Sequence, residues 1–226
     1  ATPALPTFKP LPGGPLRALI FIGEFQRDAV ELAERLDVSY DLVYCPTYRP
    51  SGKVDSVVAY DPETVLRRLA TGDYDLIILA GNPSASEVVD GLLAAAGRGV
   101  GVLCVDPVGG GGPAEVGQYK RLRAGLQATA LPPERWAEVL GALAPAALTA
   151  TSDGPPALKA VAASEAGKAR VACLTWADPV SGLIPFTPGW GEYWEYRWAA
   201  LCRAALWVAR RLSPGRLEVL EADRNV

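Results

Sequence analysis

Short unbroken apolar runs alternate along the chain with longer stretches in which apolar residues recur every three or four positions. Leu16–Gly23 (LRALIFIG) is apolar at successive positions, as a strand covered on both faces would be. Glu24–Leu36 then sets Phe25, Ala29, Val30, Ala33 and Leu36 along one helical stripe. Tyr40–Cys45 reads as a second strand, and CPTYRPSGK after it as a polar, proline-marked loop. Asp61-Pro-Glu-Thr opens the next helix, with Asp61 as N-cap and Pro62 at the first helical position. Val65, Leu66 and Leu69 form its stripe, and Gly72 stops it. Tyr74–Ala80 (YDLIILA) is the clearest strand of the chain. A helix follows from Asn82-Pro-Ser to about Ala96, ended by Gly97-Arg-Gly, and Val100–Val105 is a further strand.

Strands and helices alternating over short connections predict an α/β fold, with a mainly parallel sheet and helices on both faces. The stretch 109–165 is less patterned. GGGGPAEVGQY reads as a loop or the loose start of a helix, Pro133–Leu143 as a helix, and the Ala/Pro-rich remainder as neither. Ala169–Trp176 reads as a late strand and Glu192–Leu212 as a long closing helix. The 226 residues suit one domain, and neither an internal repeat nor a second domain is evident. The organisation expected is a Pro-rich arm or linker over 1–14, an α/β domain over 15–212, and a tail or the start of a further module over 213–226. The opening ATPALPTFKPLPGGP, without methionine, reads as a linker or a processed end, so a piece of something longer is expected. That leans towards a secreted or cell-envelope location after processing, with the cytoplasm as the alternative.

Composition narrows the chemistry. Half of the residues are apolar and 21% are charged, a globular balance. A net charge of −3 gives no basic field, so no nucleic-acid partner is expected. The apolar runs are too short to span a bilayer. The chain holds no histidine, which removes Ser-His-Asp and Cys-His-Glu catalysis, the HExxH zinc motif and His-ligated metals together. Its four cysteines, Cys45, Cys104, Cys173 and Cys202, show no CxxC spacing and sit in apolar contexts, as buried thiols do. Neither a metal nor a cofactor is expected.

In an open parallel sheet, ligands bind outside the carboxyl ends of the strands. Those ends deliver Glu24, Asn82, Asp106 and Asp178, with Trp190, Glu192 and Tyr193 on the loop that follows the last strand. Such a rim of acids, an amide and aromatics suits a neutral polyol or a cation better than a phosphate. Each has a structural alternative: Asp106 before Pro107 suits a turn, while Asn82 and Glu24 suit helix caps. Gly109–Gly112 lacks the GxxxxGK[ST] pattern of a phosphate loop. A nucleophile elbow needs Ser or Cys on the turn after a strand, but Cys104 falls inside its strand and the turn is Asp-Pro-Val.

The aromatic stretch PGWGEYWEYRW divides on a helix. Trp194, Trp198, Leu201, Ala205, Val208 and Leu212 form an apolar stripe and belong to a core. Tyr193, Tyr196, Ala200, Arg203 and Trp207 form a second, more polar band, expected to face solvent, a neighbouring module or another copy. Trp190, between Gly189 and Gly191, and Glu192 precede the helix, and Trp190, Glu192 and Tyr193 remain candidates for recognition.

Taken together, LRALIFIGEF, YDLIILAGNPSASEVVDGLLAAAGRGVGVLCVD, GKARVACLTW and YWEYRWAALCRAALWVARRL resemble the class I glutamine amidotransferase-like superfamily over roughly 15–212. The likeness is to degenerate members found as domains of larger bacterial proteins, often beside glycoside-hydrolase-type modules. It implies a flavodoxin-like three-layer sandwich with a lost active site. Active members carry Cys on the elbow and a His-Glu pair, whereas this chain has Asp106-Pro107 and no histidine. A binding, scaffolding or assembly role follows from the resemblance, with other modules of the same protein or copies of itself as partners. Two alternatives stay open. One is a carbohydrate-active enzyme or sugar-binding domain, pairing Asp106 with Glu192 or Glu24 on a neutral carbohydrate. The other is a self-assembling structural subunit.

Overall fold

A computed structural model of the chain describes residues 10–22, 35–45, 61–80, 86–106, 117–132, 135, 160–175 and 201–212. Its strands are β1 (Leu16–Ile22), β2 (Val38–Tyr44), β3 (Leu76–Leu79), β4 (Gly101–Asp106), β5 (Thr129–Ala130), β6 (Ala160–Ala166) and β7 (Ala169–Thr175). The helices are α1 (Pro62–Thr71), α2 (Ser86–Arg98), α3 (Gly117–Gly125) and α4, described over 201–208. The strands form one sheet in the order β2-β1-β3-β4-β7-β6-β5. The first five in that order run parallel, while β6 runs antiparallel to β7 and β5 antiparallel to β6. The fold is α/β, with a seven-stranded, mostly parallel sheet.

The unbroken apolar runs have their explanation in burial on both faces. Leu16, Ala18 and Ile20 of β1 enter one hydrophobic cluster, while Leu19 and Phe21 enter another. β3 divides likewise into Leu76 and Ile78 against Ile77 and Leu79, as alternate side chains of a strand must. α1, α2 and α3 cover one face through Val65, Leu69, Val88, Leu92, Tyr119 and Leu122. α4 covers the other, where its residues share a cluster with Leu16, Ile20, Leu103 and Leu174. Each fully buried Leu, Ile or Phe contributes roughly 1.5–3 kcal/mol relative to an exposed one.

Local signals explain the boundaries. The Asp61 carboxylate accepts hydrogen bonds from the Glu63 and Thr64 amides at 3.3 and 3.2 Å, and Pro62 stands at the helix start. The Thr64 side chain and these amides hold the Asp61 carboxyl below its ordinary range. Gly72 ends α1, donating its amide to the Arg68 carbonyl at 2.7 Å. The β6–β7 hairpin turns through Gly167, whose φ of 56° a side chain would resist.

The sheet is stitched at its amino end. The Asp75 carboxylate accepts the Arg17 amide at 3.0 Å, and the Asp75 carbonyl accepts the Gly101 amide at 3.0 Å. Residues 11–14 join this end: the Leu11 amide donates to Asp37 at 3.1 Å, and Leu11 is buried. Arg211 donates to the Pro12 and Gly14 carbonyls at 2.7 and 2.8 Å.

Three expectations need amendment. The weakly patterned stretch 109–165 yields α3, β5 and the start of β6. β6 (AVAASEA) holds a single β-branched residue, Val161, and its pairing with β7 decides its conformation. Next, Arg203 and Trp207 do not form a solvent-facing band, being 8% and 2% exposed. Residues 201–208 (LCRAALWV) are apolar all round save one, and a helix of that kind is buried all round. Arg170 of β7 sits over the Trp207 ring at 4.7 Å and donates to its carbonyl at 3.0 Å, while pairing with Glu165 at 2.8 Å. The third is small: β2 starts at Val38 and α2 runs to Arg98. Among the helices expected, 24–34, most of 133–143 and the half bearing Trp194 and Trp198 lie outside the described residues.

α4 comes close to the sheet at Gly101, where a Cβ would run into the Val208 carbonyl. Because the obstructing atoms are backbone, Gly101→Ala is expected to lower unfolding free energy by about 3 kcal/mol in urea titration. A loss under about 0.5 kcal/mol would show that the end of α4 yields freely.

Candidate functional site

The strand order reverses between β1 and β3, since β2 lies on one side of β1 and β3, β4 and β7 on the other. The carboxyl ends flanking that reversal are where an open parallel sheet holds ligands. Two backbone hydrogen bonds extend the parallel ladders there. The Cys45 amide donates to the Ile22 carbonyl at 2.7 Å, and the Ala80 amide to the Phe21 carbonyl at 2.9 Å. Further along the same edge, Asp106 ends β4 with its backbone in register with Thr175 of β7. Ile22, Cys45, Ala80, Asp106 and Thr175 thus mark the floor of the rim.

Of the six candidate residues, only the backbone of Asp106 falls within the described residues, and it lies at the carboxyl edge as expected. Glu24, Asn82, Trp190, Glu192 and Tyr193 lie outside them, as do Gly109–Gly112 and Asp178. Glu24 stands two positions beyond Ile22 in sequence, and Asn82 two beyond Ala80.

The thiols are placed fully. Cys104 is the fourth residue of β4 and 1% exposed, well short of the turn a nucleophile would occupy. Cys45 follows β2 at the rim but is 3% exposed, and burial pushes its thiol up to about 11. It is therefore protonated at neutral pH, when only a thiolate attacks or ligates. Cys173 and Cys202 are buried as well. Among the described residues, no group of three or more His, Cys, Asp or Glu side chains is placed to hold a metal ion. Nor is any described helix long and apolar enough to cross a membrane.

Two polar features escaped the sequence reading. Tyr119 of α3 and Ser164 of β6, 1% and 0% exposed, share a hydrogen bond of 2.6 Å. Burial raises the Tyr119 phenol while Ser164 opposes it. The only sequence signal was an isolated tyrosine in a polar helix. Tyr74, ahead of β3, donates to Asp41 of β2 at 2.6 Å; burial and then that carboxylate push its phenol up to about 12. An open groove of about 290 Å³ lies along the second half of α3, lined by Lys120, Arg123, Ala124, Gln127 and Ala128. It includes none of the six candidates.

Comparison with known proteins returns no matching family model, no matching curated protein and no matching solved structure.

Treatment of the native protein with an aromatic disulfide at pH 8 is expected to label none of the four cysteines, and all four after denaturation. Prompt native labelling of Cys45 would contradict its burial. Alkaline pH should also weaken the fold. In the unfolded chain the Cys45 thiol ionises near 9.0, whereas the folded chain holds the proton to about 11. Its contribution is present below pH 9 and lost as pH climbs towards 11, with Tyr74 extending the loss towards about 12. Urea midpoints across pH 8–11 measure this.

Proposed function

We propose that this chain is a flavodoxin-like, amidotransferase-like domain without glutaminase chemistry, working through protein contacts as a module of a larger or oligomeric bacterial protein. The observation that carries the reading is the position of Cys104. The strand that would present the nucleophile ends instead in Asp106, followed in sequence by Pro107, and its one thiol is buried midway. The absence of histidine removes the base that would activate it. The β2-β1-β3-β4-β7 order of the parallel strands, with helices contributing to the clusters on each face, supports the flavodoxin-like assignment.

The contact role is supported at β2. Tyr40 and Leu42 project 37% and 45% exposed from this strand, an edge strand among the described residues, while Ser39 and Asp41 alternate with them. An edge strand offers unpaired amides and carbonyls, and apolar side chains beside them add area for a partner. Of the partners open to it, a second copy or a neighbouring module fits this edge better than a carbohydrate does.

Two measurements test the parts separately. Incubation with glutamine should release no ammonia, and an electrophilic chloroketone analogue of glutamine should leave the chain's mass unchanged. A stoichiometric adduct on Cys104 would overturn the non-catalytic reading. Light scattering over a concentration series should show self-association that Tyr40→Lys with Leu42→Lys weakens. Monomer at every concentration would remove self-assembly as the mode of contact.

A further inference from the structure

Cys104 of β4 and Cys173 of β7 are register partners on adjacent parallel strands. Both belong to the cluster beneath α1, α2 and α3, so both side chains leave the sheet on the same face. Neighbouring strands stand about 4.8 Å apart, and in-register parallel neighbours carry their Cβ atoms at about that spacing. A disulfide wants Cβ atoms about 3.8 Å apart, so closing one would draw two central strands together by about 1 Å. One bridging ion has a different requirement. It holds its two sulfurs two metal–sulfur bonds apart instead of one S–S bond of about 2.0 Å, so the strands keep their spacing.

The surroundings suit an ion held by two sulfurs. Tyr119 shares one cluster with both cysteines, and it reaches Ser164 at 2.6 Å. The two hydroxyls own two protons and use one between themselves, which leaves one to donate outward. A thiolate under α3 would accept it, offsetting part of the cost of a buried negative charge. α3 itself buries only Tyr119 and Leu122 and exposes Lys120, Arg121 and Arg123. Local opening of such a lightly held helix gives an ion its way in.

We propose that Cys104 and Cys173 form a two-thiolate site for a monovalent soft metal ion of the Cu(I) class, roofed by α3. Soft thiolates select such ions over harder ones. Two S–H bonds break, two S–Cu bonds form, and two protons pass to solvent. The ion arrives and remains as Cu(I), so no electron is transferred. Cys202 belongs to the opposite face and Cys45 to the end of β2, beyond β1 and β3 from β4, so neither takes part. The inference stands apart from the contact role above.

The test is anaerobic titration of the reduced full chain with Cu(I) against a chromogenic Cu(I) chelator. One ion per chain is expected, with Cys104→Ser and Cys173→Ser each weakening uptake by at least roughly 100-fold. Cys45→Ser and Cys202→Ser should leave it unchanged. No uptake by the unsubstituted chain, or equal uptake by all four variants, overturns the proposal. Should the serine variants fail to fold, X-ray absorption on the loaded unsubstituted chain decides. Two sulfur donors and no others support the site, and any other donor set refutes it.

Discussion

The central strands of this protein bury both of their faces, and that demand organises the molecule. β1, β3 and β4 have no polar side to turn towards water, so each needs cover above and below. α1, α2 and α3 answer it on one face, while α4 answers it on the other. A cover layer must come close, and the closeness appears in residue choice. Gly101 stands where the end of α4 presses on the sheet, and any larger residue would meet the Val208 carbonyl. Arg170 then joins the antiparallel edge to the same helix, with its guanidinium over Trp207 and its partner Glu165 on β6.

Much of this was legible in the sequence because the signals were local. LRALIFI, LIIL and GVLCVD read as strands from their unbroken apolar runs, and DPETV reads as a capped helix start from its side-chain chemistry. β6 was not legible, because AVAASEA has Val161 as its one strand-favouring residue and gains its conformation by pairing with β7 across the hairpin and with β5. Trp207 and Arg203 were misjudged for a related reason. A helical stripe says which face is most apolar, and it says nothing about how many faces are covered. The composition of LCRAALWV, with a single polar residue, held the better clue.

The site was legible only as an address. Sequence order placed Asp106 at the end of a strand, and its backbone stands at the carboxyl edge beside Thr175. That Cys104 lies within its strand followed from the same count. The buried tyrosine–serine contact could not be anticipated, since Tyr119 and Ser164 are 45 positions apart and neither belongs to a motif. The pairing of Cys104 with Cys173 depends equally on strand order, which no spacing rule reveals.

The tie between Arg211 and the carbonyls of Pro12 and Gly14 has a mechanical consequence. It brings residues 12–14 and 211 together at one pole of the sheet, so the path between them is nearly a closed ring. Tension applied through these two points would fall first on the Arg211 contacts, as on a clasp. The strands would feel the load only after the clasp had parted, and the rim at the opposite pole would feel it last.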